Sequence, residues 1–120
     1  MFLLMLIFLN SAAVLGPYAE FSFDDKVYKS APIKEGELLH HTFHFTNTGE
    51  LPLVISNYEV ACACTKVTYP KTPVAPGSRD SIVVDFDSEG KMGWQYRKIQ
   101  LFANTKKSPE VIEFRVRVDE

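Results

Sequence analysis

From residue 20 onward, apolar and polar side chains alternate with a period of two, the pattern of strands that bury one face. Residues 81–87 are the clearest case, with Ile82, Val84 and Phe86 on one side and Ser81, Val83 and Asp85 on the other. Ile112, Phe114, Val116 and Val118 alternate with Glu113, Arg115, Arg117 and Asp119, which predicts a half-buried C-terminal strand, an edge with a charged open face. Residues 39–47 place His41, Phe43 and Phe45 on one side and His40, Thr42, His44 and Thr46 on the other, so Phe43 and Phe45 should face the core. Leu53, Val54 and Ile55 begin another strand. Tyr58 and Val60 are out of phase with Leu53 and Ile55, so a bulge or twist is expected there. Ile99, Leu101 and Ala103 mark a further strand, and a short one near residues 21–23 opens the domain.

Turn residues separate these runs: Asn47-Thr48-Gly49, Pro76-Gly77 and Ser88-Glu89-Gly90 suit tight or positive-φ backbone. No amphipathic helix of useful length interrupts them. The chain therefore predicts an all-β fold, an immunoglobulin-like antiparallel β-sandwich of about seven strands over residues 20–120. With 120 residues, 46% hydrophobic and 23% charged, one core is expected, and a domain of this size folds without a metal or a disulfide framework.

The first residues differ in kind. Residues 2–9 form an uninterrupted apolar run, and no charge occurs before Glu20. This reads as the apolar stretch of a signal peptide, and Ser11-Ala12-Ala13 supplies the small residues a signal peptidase requires. A signal segment over residues 1–13 is expected, with a boundary as late as Ala19 as the alternative. Even stretched to Leu15, the run falls short of the ~20 residues that cross a bilayer as a helix. No membrane span is expected in the mature chain, which would be periplasmic or secreted. Lys and Arg total 13 against 15 Asp and Glu, so the net charge of -2 argues against nucleic acid as a partner.

Several motifs in order resemble the domain of unknown function 1573 family. They are Phe43-His44-Phe45-Thr46-Asn47-Thr48-Gly49, Pro52-Leu53-Val54-Ile55, Cys62-Ala63-Cys64-Thr65, Tyr69-Pro70, Pro76-Gly77 and the Gly90 to Gly93 stretch. The likeness spans about residues 28 to 118. It implies an exported bacterial protein and an Ig-like sandwich in the style of the major sperm protein and centrosomal domains, and it implies no reaction. Two departures stand out. Ala63 replaces the usual central Gly of Cys-Gly-Cys-Thr, and Ser30-Ala31 replaces the Phe-Gly pair ahead of Pro32-Ile33-Lys34-Glu35-Gly36.

Cys62 and Cys64 are the natural place for specific chemistry. In an extended segment both thiols project to one face with Cα atoms ~6.6 Å apart, near the outer limit for a bridge, so a direct bond needs a turn. A central Gly reaches such a turn through positive φ, where Ala63 is strained. Four readings stay open: half-buried thiols packed as small hydrophobes, a local or redox-active disulfide, soft-metal ligation, and pairing with another chain. For a metal, Cu(I) suits two thiolates and Zn requires more ligands; His40 and His44, sharing one strand face, are the weaker candidates. Solvated strand histidines are the ordinary alternative.

Other constellations carry less. Asp85-Phe86-Asp87-Ser88-Glu89-Gly90 imitates the start of a calcium loop, but its twelfth position is Tyr96 instead of a bidentate Glu. Trp94, Tyr96 and Phe102 suit an exposed aromatic stripe for sugar or protein contact, although aromatics packed under loops are commoner. No phosphate loop, nucleophile elbow or zinc-protease pattern occurs. No catalytic residue and no cofactor are expected. The expected function is a non-enzymatic structural or protein-interaction module whose partner is another envelope or extracellular protein; the alternative is a thiol redox or soft-metal site at Cys62 and Cys64.

Overall fold

The structure, a computed structural model, describes residues 17–120, so the expected signal segment over residues 1–13 lies outside the described residues. Among the described residues nine strands follow one another: β1 (Phe21–Phe23), β2 (Val27–Lys29), β3 (Ile33–Lys34), β4 (Leu38–Asn47), β5 (Ile55–Val60), β6 (Thr65–Thr68), β7 (Arg79–Asp87), β8 (Gly93–Ala103) and β9 (Glu110–Asp119). They form two sheets, β1-β4-β7-β6 and β2-β9-β8-β5, with β3 also pairing β9. Among the described residues no helix is long and apolar enough to cross a membrane.

The sandwich follows from the alternation. Phe43, Phe45, Ile82, Val84 and Phe86 from one sheet meet Ile99, Leu101, Ile112, Phe114 and Val116 from the other, all buried. Phe86 and Phe114 touch across the sheets with ring centroids 5.2 Å apart. The register shifts between Ile55 and Asn57, which is the irregularity that the phase change toward Tyr58 and Val60 predicts.

Three expectations are corrected. The strands number nine among the described residues against about seven expected, because β2, β3 and β6 are pieces of two to four residues, too short to show a period. The pairing is not wholly antiparallel, since β2 and β3 both run parallel to β9. For the same reason β9 is no edge: β8 covers one side of it, and β2 and β3 cover the other.

One end of the sandwich is closed by a buried amide. Asn47 has no exposed surface. Its Oδ1 accepts from the Glu20 and Gly49 N–H groups at 3.2 and 3.0 Å. Its Nδ2 donates to the Leu51 and Val74 carbonyls at 2.8 and 3.0 Å. Both oxygen lone pairs and both amide protons are thus used, which is what makes a polar side chain tolerable in a core. Gly49 is required beside it, because a Cβ there would collide with the Tyr18 carbonyl oxygen and the Ala19 backbone. Ala19, the alternative signal boundary, is itself buried and bridges to Thr105 at this same end.

Candidate functional site

At the opposite end the chain crosses from one sheet to the other. β5 pairs with β8 from Ile55 opposite Ala103 as far as Val60 opposite Ile99. It then leaves, and β6 continues in the other sheet against β7. Cys62-Ala63-Cys64-Thr65 is the corner: the Thr65 N–H donates to the Cys62 carbonyl at 3.1 Å, closing a four-residue turn. The Asp87 N–H donates to the Cys64 carbonyl at 2.9 Å and fastens the corner to β7.

Cys62 and Cys64 are joined as a disulfide, with Cα atoms 5.1 Å apart. The turn supplies the shortening that an extended segment lacks. It does so without left-handed backbone, since no residue other than glycine has positive φ among the described residues. Ala63 therefore does not meet the strain expected of it, because φ is not positive at either central residue of the turn. The Cys64 N–H also donates to Cys62 Sγ at 3.2 Å. Each sulfur is bonded to the other, so in this state neither is the thiolate that attacks a disulfide or binds a soft metal. Both cysteines are half-buried.

The departure of β5 opens a cleft of about 420 Å³ beside the corner, lined among others by Val60, Cys62, Tyr96, Arg97 and Lys98. On the β8 side it is bounded by Tyr96, Arg97, Lys98 and Gln100, and the stretch from Trp94 to Lys98 pairs in the ladder with β9 alone among the described residues. Trp94 and Tyr96 are the large aromatics of this stretch, 58% and 57% exposed, with ring planes 19° apart and centroids at 6.1 Å. Arg115, opposite Tyr96 on β9, sets its guanidinium 5.9 Å from that ring, within reach of a cation–π contact. Phe102, the third member of the expected stripe, is half-buried near Asn57 and stands apart from the other two.

The histidines do not join the cysteines. His40 and His44 lie exposed on the outer face of β4, as their phase predicts, and β7 stands between β4 and β6. His40 Nδ1 is hydrogen-bonded to Asp85 Oδ1 at 2.6 Å. His41 faces inward, stacked on Tyr28 with centroids 3.5 Å apart and edge-on to Phe43. Burial holds its pKa below the ordinary imidazole value; His44 and His40 push the same way, and Asp25 opposes them. Among the described residues no group of three or more His, Cys, Asp or Glu side chains is placed to hold a metal ion.

The acidic run after residue 85 has a structural use. Asp87 Oδ1 accepts the Glu89 N–H at 3.0 Å, and Glu35 Oε1 accepts the Gly90 N–H at 2.9 Å, so carboxylates satisfy the turn's own backbone. Asp24 likewise is held below its usual pKa by the hydrogen bond from Arg79, whose own pKa is raised by the same contact. These displaced groups have structural causes and do not converge on a reaction centre. Arg97 and Lys98 were invisible as site residues in the sequence, because their importance lies in what β5 fails to cover. The single signal was β5's length: a strand of six residues cannot pair a neighbour of eleven.

A family model described as Protein of unknown function (DUF1573) matches residues 21–118. The chain belongs to this family. The DUF1573 match begins at β1 and ends inside β9, so it covers both sheets and the cysteine corner. No curated protein matches the chain. Among solved structures, a protein of unknown function from Porphyromonas gingivalis W83 is similar with a TM-score of 0.67 and 15% identity, over 85% of this chain and 47% of that one. The PapD-like domain 7 of human CEP192 has a TM-score of 0.63 and 11% identity, over 87% and 88%. The VesB protease of Vibrio cholerae has a TM-score of 0.62 and 18% identity over 83% of this chain, which spans only 32% of VesB. At these identities the likeness establishes the fold, an Ig-like or PapD-like sandwich, and nothing further.

Proposed function

We propose that this DUF1573 chain is a non-enzymatic structural or protein-interaction module of the cell envelope, exported by its N-terminal apolar segment. The observation that carries the reading is the concentration of exposed apolar surface on one stretch: Met92, Trp94 and Tyr96 are each more than half exposed. Met, Trp and Tyr are the side chains enriched where proteins meet, and single-domain sandwiches seldom leave them out together. The likeness to about a third of a protease chain supports a fold that works attached to other domains.

Capture from a solubilised envelope fraction with the folded chain tests this. A partner retained by the native chain and released when Trp94 and Tyr96 are both changed to Ala is the expected result. Cysteine-dependent turnover of a disulfide substrate with no partner retained would overturn it. Export is checked separately by N-terminal sequencing of the mature protein, expected to begin near Val14.

The Cys62–Cys64 disulfide beside an open cleft favours one second reading, a thiol–disulfide exchange site. Mass spectrometry after alkylation of protein taken from its native compartment discriminates. A pair that alternates between closed and mixed-disulfide forms supports exchange, and a pair that is always closed supports a fixed corner.

A further inference from the structure

We infer that the unpaired half of β8 is the docking site itself, and that it accepts an extended segment of another protein as an added strand with acidic residues at the Arg97–Lys98 end. This rests on the interaction-module reading and specifies its geometry. The direction of the main chain along β8 is fixed by two contacts. The Asn104 N–H donates to the Val54 carbonyl at 3.2 Å, and the Phe102 carbonyl accepts from Ser56 Oγ at 3.1 Å. Even-numbered residues at this end thus turn their N–H and C=O groups toward β5. In an antiparallel ladder that direction alternates residue by residue, and β8 runs from Gly93 to Leu101 against β9 without a register shift. Trp94 and Tyr96 therefore turn their main-chain groups to the side that β5 has vacated. Among the described residues those groups meet no strand, leaving the kind of edge that pairs with a further chain.

The side chains specify what such a strand would carry. Trp94, Tyr96 and Lys98 share the outer face, where β9 sets Arg117, Arg115 and Glu113 opposite them; on the other flank the added strand would fill the empty position. Apolar residues fit opposite Trp94 and Tyr96, because cross-strand apolar pairs are what stabilise a sheet. An acidic residue fits opposite Lys98. On the inner face Arg97 makes one hydrogen bond, from Nη2 to Gln95 Oε1 at 2.6 Å, and its buried Nε has no partner. Neither Arg97 nor Lys98 forms an ion pair among the described residues. Two adjacent cations that form no ion pair, although Glu59 and Glu113 line the same cleft, stand beside two unpaired main-chain positions and match an antiparallel segment that reads acidic, acidic, apolar, polar, apolar. Edges are usually blunted by charge, proline or a bulge. Here only the charge is present, and it selects a partner of opposite sign.

The test pans a phage-displayed library of random heptapeptides against the full chain, then follows the selected synthetic peptide by amide hydrogen exchange. Enriched sequences should carry the acidic pair followed by alternating apolar residues. In the free chain the Trp94 and Tyr96 amides should exchange fast while those of Gln95 and Arg97 are protected; bound peptide should slow the first two at least tenfold. Tyr96→Pro, which removes an outward N–H, should weaken binding by about fivefold or more relative to Tyr96→Ala, the value of roughly one hydrogen bond. The exchange measurement on the unmodified chain keeps the proposal testable if the proline variant does not fold. Selected peptides that bind without slowing those amides would overturn it, as would a library without acidic enrichment. Protection that appears with rising protein concentration and no peptide would assign the edge to a second copy instead. Fluorescence quenching by soluble polysaccharide with both amides still fast would assign the aromatic pair to sugar. If envelope capture succeeds but is indifferent to Tyr96→Pro, the module reading stands and the edge assignment fails.

Discussion

The two ends of the sandwich solve the same problem in opposite ways. At each end the chain leaves one sheet for the other, and backbone groups are left over. At the Asn47 end a single amide gathers them: four hydrogen bonds converge on one buried side chain, and Gly49 lets the segment from Tyr18 to Glu20 lie against it. At the Cys62 end a covalent link holds the corner, and the strand left behind keeps its main chain open over residues 94–98. The same strand passes through both regimes. Ile99 and Leu101 of β8 have no exposed surface, while Trp94 and Tyr96 are more than half exposed. Closure at one end and vacancy at the other mark which backbone groups the fold itself satisfies and which it leaves uncovered.

The comparison breaks first at Asn47. Asn47→Ala takes the side-chain partner from the Glu20 and Gly49 N–H groups and the Leu51 carbonyl, while the Val74 carbonyl keeps the Leu53 N–H, and a loss of about 3 kcal/mol is expected at roughly 1 kcal/mol for each group orphaned. Urea denaturation measures it, and a loss below about 1 kcal/mol would mean that this end is not held by the amide. At the other end, Cys62→Ala opens a loop of only three residues, for which chain entropy gives about 1.5 kcal/mol. Comparing the two variants under one denaturant ranks the ends directly.

A pH series probes the stretch between them. His41 is held below its ordinary pKa in the fold, so the unfolded chain takes up a proton near pH ~6.5 that the folded chain refuses. Stability should be full above that pH and decline as the pH falls below it. Thermal melts should show Tm falling between about pH 7 and pH 5.5, and His41→Phe should flatten that slope. The smallest effect belongs to the open half of β8. Trp94→Ala should change stability by no more than about 0.5 kcal/mol, as for surface substitutions away from structural contacts. A larger loss would show that the aromatic pair serves the fold.

Much of the closed part was legible in the chain. The buried faces of β4, β7 and β9 are the alternating sets of Phe43 and Phe45, of Ile82, Val84 and Phe86, and of Ile112 to Val118. Alternation works there because one face meets the core and the other meets water. β2 and β3 escaped it because two or three residues cannot display a period, and their parallel pairing with β9 is a long-range fact. Asn47 was visible only as a turn residue, since an amide that gathers four backbone groups looks in sequence like any Asn before a Gly. The disulfide was one of several open readings because spacing fixes the span of an extended segment and not that of a turn. The open edge could not be read from residues 94–98 at all; it exists because β5 turns away after Val60.

The placement of Ala19 has one more consequence. Its bridge to Thr105 and the fit of Gly49 against Tyr18 bring the chain into the sandwich at the Asn47 end. From there to Trp94 is nearly the full run of β8, roughly 30 Å at the rise of a strand. The first described residues, from Pro17 to Ala19, therefore lie at the far pole from the vacant edge.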